Sequence, residues 1–536
     1  MGVGVSTRHR AVNPGETPTE TRRRRTDNPW ILLGIGAALA LGVVLRFVCA
    51  SDLWADEALS VNIARLPLDA IPNALRHDGA PPLYYVLLHF WMRVFGTGNT
   101  TVRALSGVVG TLTLIPVWFL GRRLDRRLRR MEITPAEGPD FVAWATLLLF
   151  ALSPFAIRYS TEARMYAVVM LLAACGYLAV VRALDRPAPG RLAVVALIAG
   201  LLLYAHYWAF SLLVVAGVAL VVVAVRGDPA TRRAAVRTLV AIGIGCLAFV
   251  PWVPTLLYQV RHTGTPWGAP VSPFGSWALA FSTFGGNAHP AGWALGVLVA
   301  LGVFATARDG RHLEIDLGTH PGVRPEAAVA FATIALGLLL GRVAGTTFEP
   351  RYASVAFPLL VAVAAVGLLA FGDRRIRTAV LVGALLLGTW GGVSNAARQR
   401  SQAFEVVPVI RDRAAAGDLV VFCPDVIGTD IVGRLPDDVR ATSFPNLDSS
   451  ARIDWVDYSD KVGDTHPLAF SRRLLEIAGD HTIWFVYTNN GAEADRKCEK
   501  VADYLTLARP FRTRELEPDP YFYEHQGIYR YPPLDS

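Results

Sequence analysis

The chain has 536 residues, 53% hydrophobic and only 18% charged, with a mean hydropathy of +0.37 and a net charge of +8. A soluble protein of this length carries about a quarter charged residues, so a wholly soluble fold is excluded. The basic surplus is arginine gathered in short loops between apolar runs, which is a topology signal rather than a nucleic-acid-binding surface, and the five cysteines show neither a CxxC nor a Cys/His pattern.

Residues 1–28 are polar and rich in Pro, Thr and Arg, with Arg22, Arg23, Arg24 and Arg25 consecutive, and are expected to form a disordered basic cytoplasmic tail. The apolar run that follows is too long for a signal-peptide core and is taken as an uncleaved first span. Apolar runs then recur as far as Val393, giving about eleven spans. They are Trp30–Ala50, Ala104–Leu120, Phe141–Ile157, Met165–Val181, Leu192–Ala205, Ala209–Val225, Thr238–Val253, Gly292–Ala307, Ala327–Gly341, Ala353–Phe371 and Ala379–Val393. The amphipathic stretch Leu83–Phe95 is too short to be a span and is placed along the outer membrane surface.

With the N-terminus inside, every arginine-rich loop falls inside as well: 122–130, 182–191, 226–237, 308–311 and 374–377. This parity puts Gly138 inside, and puts the first large loop (51–103), the tail (396–536) and Gly491 outside. Cys175 and Cys246 sit within apolar runs as packing residues; Cys423 and Cys498 share the tail and are free to pair if it is outside.

The polar residues that this topology leaves at the outer ends are the informative ones. Asp52, Asp56, Glu57, His77, Asp78, Arg158, Glu162, Arg164, His206, Arg342, Glu349 and Arg351 all face one side, where ionisable groups near a bilayer mark function. Other readings stand beside this one. Asp56 and Glu57 suit the first turn of a helix, Glu162 and Arg164 suit a structural ion pair, and His206 among Tyr204, Tyr207 and Trp208 suits an interfacial belt. Arg46 is near enough to the outer end of its span to snorkel. Glycosyl transfer from a lipid phosphate needs a carboxylate to take the acceptor's proton, cations for the departing phosphate and an apolar entrance. Asp56 suits the first task; Arg164, Arg351 and Arg158 suit the second; Leu83–Phe95 suits the third.

Four motifs, WADEALS, APPLYYVLLHFW, STEARMYA and EPRYAS, occur in order over residues 30–395 and resemble those of the GT-C glycosyltransferases. The likeness is to the group of protein O-mannosyltransferases, lipid A aminoarabinose transferases and bacterial membrane mannosyl- and arabinosyltransferases. The resemblance implies a GT-C type α-helical polytopic membrane protein, with residues 29–395 as its transmembrane catalytic domain. It implies an inverting hexosyl- or pentosyltransferase that uses a polyprenyl-phosphate sugar, mannose being favoured and arabinofuranose the other candidate, and a cell-envelope glycan, lipid or protein acceptor. Asp56 then matches the catalytic base and Glu57 the second acid; Arg164, Arg351 and Arg158 would bind the donor phosphate; and His77, Asp78, Glu162, Tyr166, His206 and Tyr352 would line the substrate site. Where relatives carry a basic or imidazole residue before the double proline, this chain has Ala80. No cofactor is required on this reading, and a divalent cation is left open.

In the tail, 403–417 reads as a helix, 419–423 and 482–488 as buried strands and 492–508 as an amphipathic helix, an extracytoplasmic α/β domain. The aromatic run 521–533 suits either strand packing or glycan contact. A lipid-sugar flippase or a non-catalytic glycan-assembly protein are the rival functions; no internal inverted repeat supports the first.

Overall fold

The computed structural model describes residues 29–131, 140–264, 272–286, 288–307, 312–343, 347–489 and 493–534; residues 1–28, Gly138, Arg308, Arg311 and Gly491 lie outside the described residues. Helix α1 (Pro29–Leu45) leads into an outer loop folded as α2 (Ala55–Ala64), α3 (Ile71–Asp78) and α4 (Leu83–Phe95). Gly79, at φ 89°, ends α3, and Pro81 and Pro82 prevent its continuation. The 13 residues of α4 reach only about 20 Å, short of a bilayer core. It buries Tyr84, Tyr85, Leu88, His89 and Met92 against the protein and leaves Leu87, Phe90 and Val94 exposed, an apolar outer face.

The remaining helices are α5 (Asn99–Leu112), α6 (Leu114–Arg130), α7 (Phe141–Ala151), α8 (Pro154–Ser160), α9 (Tyr166–Asp185), α10 (Pro189–Ala205), α11 (Ala209–Arg226), α12 (Pro229–Leu247), α13 (Val253–His262), α14 (Pro273–Phe284), α15 (His289–Phe304), α16 (Arg324–Val343), α17 (Phe357–Gly367) and α18 (Arg374–Ala397). Each of the expected spans falls on a helix. Among the described residues, 6 helical segments are long and apolar enough to cross a membrane, or 8 if each bent pair is one span; Pro29–Leu45, Leu83–Phe95, Pro189–Ala205 and Phe357–Ala370 are shorter apolar helices.

Several boundaries differ from expectation, three of them with a clear local cause. The run Phe141–Ile157 is broken by 53° between α7 and α8, where Ser153 Oγ accepts from the Ala156 N–H at 3.3 Å and Pro154 starts a new helix. The run Gly292–Ala307 ends early, because β1 (Ala305–Ala307) pairs antiparallel with β2 (Leu313–Ile315). The run Ala353–Phe371 becomes α-helical only at Phe357, since Pro350–Val355 is a tight 3-10 turn that carries Arg351.

Arg46 does not snorkel. It is fully buried, and its Nη1 donates to Gly42 O at 2.5 Å and Ala151 O at 2.7 Å while Nη2 donates to Phe150 O at 3.1 Å. It thus satisfies Ala151 O, an end carbonyl of α7, and shares Phe150 O with the Ser153 N–H. The helices cross so closely there that a Cβ on Gly42 would lie 2.6 Å from Ala151 O. At the arginine-rich ends, Arg123 pairs with Asp185 at 2.9 Å and Arg127 with Glu326 at 2.7 Å, so α6, α9 and α16 bring their basic termini to one face.

The tail begins with α19 (Ala403–Arg413) and contains β3 (Leu419–Cys423), β4 (Arg440–Ser443), α20 (Tyr458–Asp464), α21 (Pro467–Ala478), β5 (Ile483–Tyr487), α22 (Glu493–Ala508), β6 (Thr513–Leu516) and β7 (Gly527–Tyr531). The five strands order as β4-β3-β5-β7-β6; β3 is parallel to β4 and β5, and β7 is antiparallel to β5 and β6. Both faces are covered, which is why LVVFC and IWFVY are continuously apolar. Val420, Phe422, Trp484 and Val486 pack with Val406, Val407 and Ile410 of α19. Leu419, Val421, Ile483 and Phe485 face the core that includes Leu474 of α21 and Val501 and Leu505 of α22. Cys423 and Cys498 form a disulfide that ties α22 to β3.

The tail also carries a buried acid. Asp425 Oδ1 accepts from the Tyr458 hydroxyl at 2.6 Å, and burial pushes its carboxyl up to about 7. A carboxyl raised above its unfolded value stabilises the fold most at low pH, and that contribution is lost as pH rises through the folded value. The tail is therefore expected to melt at a lower temperature at pH 8 than at pH 5.5, and Asp425→Asn should remove part of that difference, the rest resting on Asp430 and Glu524, whose carboxyls burial also pushes up. An unchanged pH slope in Asp425→Asn would assign the slope to other groups.

Candidate active site

The start of α2 places two adjacent acids about 100° apart on the helix, so they face different neighbours. Asp56 is 28% exposed, and its Oδ2 lies 2.8 Å from Arg351 Nη1 and 3.6 Å from Arg164 Nη2. Arg164 also donates from Nη1 to Ser60 Oγ at 3.1 Å, while the Ser60 hydroxyl donates to Asp56 O at 2.8 Å. One turn of α2 therefore fixes both the acid and one of its arginines.

Around this pair stand further expected residues. Tyr166 and His206 have ring centres 5.6 Å apart, His206 and Tyr352 5.3 Å apart, and the Arg351 guanidinium lies 6.0 Å from the Tyr352 ring. Trp208 stacks on Tyr352 at 5.0 Å. Asp78 accepts from the Tyr85 hydroxyl at 2.9 Å, and burial pushes its carboxyl up against the pull of Arg164. Asp56, Arg164, Arg351, Asp78, Tyr166, His206 and Tyr352 thus converge from the first outer loop, the 161–165 turn, the start of α9, the end of α10 and the 350–355 turn.

Glu57 belongs to an adjoining buried network. It takes two hydrogen bonds from Arg103, Nε to Oε1 at 2.8 Å and Nη2 to Oε2 at 2.5 Å, and one from the Ala163 N–H at 2.9 Å, with Arg400 Nη1 at 3.7 Å. Burial would raise its carboxyl, but Arg103 and Arg400 outweigh that and hold it below the ordinary range. Glu162 pairs with Arg158 at 3.0 Å, one helical turn back, and not with Arg164; Arg400 lies 3.6 Å from it. Arg158 is thereby committed to an acid.

Three expected residues turn elsewhere. His77 Nδ1 meets Asp454 Oδ1 of the tail at 2.7 Å, Asp52 meets Arg434 of the tail at 2.6 Å, and Arg342 is exposed on α16. Sequence reasoning missed Arg103 and Arg400. Their signal was that they are arginines on the face opposite the one where the basic loops gather. Among the described residues no group of three or more His, Cys, Asp or Glu could hold a metal ion.

The helical bundle, the outer-loop helices, the convergent acid–arginine cluster and the C-terminal sheet domain define the class: a polytopic membrane protein of the GT-C fold. The likeness to particular proteins is one of overall fold and is remote in sequence. ArnT from Cupriavidus metallidurans in the apo state superposes with a TM-score of 0.55 at 14% identity, over 94% of this chain and 97% of that one. ArnT from the same organism bound to undecaprenyl phosphate gives 0.55 at 13% identity, over 94% and 98%. At such identities the likeness is one of fold. No family model and no curated protein matches the sequence.

Proposed function

We propose that this chain is a membrane glycosyltransferase that takes a sugar from a polyprenyl-phosphate donor and transfers it to an envelope glycan, lipid or protein on the outer face. The observation that carries this reading is the state of the two arginines beside Asp56. Arg164 and Arg351 each keep a buried Nε–H that has no acceptor among the described residues. Asp56 stands between these two guanidiniums, and Asp78, the other acid of the cluster, has its carboxyl pushed up by burial. Two converging guanidiniums with unused donors suit a phosphate. A neighbour of the same fold binds undecaprenyl phosphate, which fits the donor proposed here.

In the proposed reaction the acceptor oxygen attacks the anomeric carbon from the side opposite the phosphate. Asp56 takes the hydroxyl proton, the bond from the anomeric carbon to the phosphate oxygen breaks, and Arg164 and Arg351 hold the released polyprenyl phosphate. Tyr166, His206, Tyr352 and Asp78 line the substrate, while Glu57, Glu162 and Arg158 form the network behind it. The exposed apolar face of α4 is the proposed side for the lipid tail. Mannose is the favoured sugar and arabinofuranose the other candidate. Arg164→Ala and Arg351→Ala are each expected to lose about 1.5–3 kcal/mol of undecaprenyl phosphate binding. Unchanged affinity in both variants would overturn the phosphate assignment.

The proposed sidedness puts the N-terminus inside and the site and tail outside. The Cys423–Cys498 disulfide supports it, because such bonds persist in oxidising compartments, as does the gathering of basic helix ends on one face. Gly138→Cys should be shielded from an impermeant maleimide in intact cells, and Gly491→Cys should react. Labelling at position 138 would invert the topology.

A further inference from the structure

The aromatic run at the end of the chain is not an isolated strand edge. Its first part is a loop, 519–526, that the tail builds against α2. One side chain clamps both ends of this loop: Gln402, almost fully buried, accepts at Oε1 from the Asp519 N–H at 3.0 Å and from the Gln526 N–H at 2.9 Å. The Glu524 N–H donates to Arg400 O at 2.9 Å, and the Gln402 N–H donates to Glu524 O at 2.9 Å. The loop is thus locked to the same junction from which Arg400 reaches Glu57 and Glu162.

From this anchored backbone two neighbouring side chains meet α2. The Glu524 carboxyl accepts from the Ala55 N–H, at 3.1 Å to Oε1 and 3.0 Å to Oε2. Ala55 opens the helix and immediately precedes Asp56, and helix-start N–H groups need such an acceptor. Tyr523 lies edge-on to Trp54 at 5.3 Å, yet it is 58% exposed. Trp54 is buried, and its Nε1–H has no acceptor among the described residues. A ring with a free face, beside an unused buried N–H donor and the Asp56–Arg351 pair, suits a ligand with an apolar ring face and rim hydroxyls, which is a sugar.

We propose that the tail loop completes the site: Glu524 is a positioning residue that fixes the first turn of α2, and Tyr523 with Trp54 forms the wall against which the donor's sugar ring packs. The second half rests on the glycosyltransferase reading; the first half does not. The shared logic is that one clamped loop sets the acid and the sugar relative to each other, so the tail is a working part of the site.

The test uses the full-length protein in lipid nanodiscs. For Glu524 the readout is hydrogen exchange. Amides in the first turn of α2 should exchange about five-fold faster in Glu524→Ala, as for loss of a helix cap. They should stay as in the wild type in Glu524→Gln, which keeps the acceptor, with the tail sheet unchanged in both. Unchanged α2 exchange in Glu524→Ala would overturn the positioning role. For Tyr523 the probes are undecaprenyl phosphate and its mannosyl and arabinosyl esters. The wild type should bind one ester more tightly than the bare phosphate, by about five-fold for a packed ring. Tyr523→Ala should lose that difference while keeping its affinity for the bare phosphate, and Tyr523→Trp should restore it. A wild type that binds bare phosphate as well as either ester, or a Tyr523→Ala protein that keeps the difference, overturns the wall. A wild type that binds none of the three probes fails the glycosyltransferase reading itself, takes the wall down with it, and leaves the exchange result to judge Glu524.

Discussion

Asp56→Asn is expected to abolish glycosyl transfer while leaving the protein folded and able to bind undecaprenyl phosphate. The argument begins with what Asp56 touches. Its carboxylate is held by Arg351 at 2.8 Å and more loosely by Arg164 at 3.6 Å, and it remains 28% exposed, unlike its fully buried neighbour Glu57. An acid needed only for structure would be expected deeper and more fully bonded, as Glu57 is. Asparagine keeps the size and one accepting oxygen, so the helix start is preserved, but it cannot take up the acceptor's proton. A positioned base contributes about 10² to 10⁴-fold in rate, and a loss in that range is expected.

Donor binding should respond differently. The arginines that now hold Asp56 are the same ones proposed to hold the phosphate. A bound phosphate would draw their N–H groups away from the carboxylate and free its lone pairs for the acceptor hydroxyl. Asp56→Asn removes the competitor for those arginines, so undecaprenyl phosphate should bind at least as well as to the wild type. A folded Asp56→Asn protein with wild-type turnover would place the base elsewhere, Asp78 being the nearest alternative in the cluster. A large loss of phosphate binding would instead show that Asp56 matters mainly for arranging the arginines.

The membrane architecture was legible because it rests on two strong signals. Apolar runs mark the spans, and the arginine bias gathers their basic ends on one face. The breaks inside runs were not legible. Pro154 looks like one apolar residue among many until Ser153 is seen capping a new helix, and nothing local announces that Ala305–Ala307 pairs with Leu313–Ile315. At the site, Asp56, Arg164 and Arg351 stood out because charge at an outer helix end is costly. Glu162 was misjudged through its spacing to Arg164: the chain leaves the helix after Ser160, and the acid pairs with Arg158 one turn earlier. Arg103, Arg400 and the 519–526 loop were invisible for a different reason. Each acts through a partner far along the chain, and a single sequence carries no record of such pairings. The arginines on the face opposite the basic loops were nevertheless a usable signal as a set, since each departs from the bias that gathers arginine on the other face.

Glu57→Gln is expected to fail in stability before it fails in chemistry. Glu57 is fully buried and receives Arg103 through two hydrogen bonds, the Ala163 N–H through a third, and Arg400 at 3.7 Å. It joins four separate parts of the chain: α2, the α5 helix that carries Arg103, the 161–165 turn, and the junction between α18 and the tail. Glutamine preserves the shape and can still accept from Ala163, but it leaves buried Arg103 without its counter-charge and Arg400 with Glu162 alone. Breaking a buried pair from one side costs about 3–5 kcal/mol, because the remaining ion stays desolvated. Arg103→Met should cost a similar amount by stranding Glu57. The double variant Glu57→Gln with Arg103→Met should recover part of the loss, since it removes both charges together. Thermal unfolding of the detergent-solubilised proteins checks all three. The catalytic readout then separates the two acids. Transfer by the folded fraction of Glu57→Gln should stay well above that of Asp56→Asn, because Glu57 shapes the site from behind. If Glu57→Gln melts like the wild type and is inactive, the roles of the two acids are reversed, and the Arg103 pair holds the base itself.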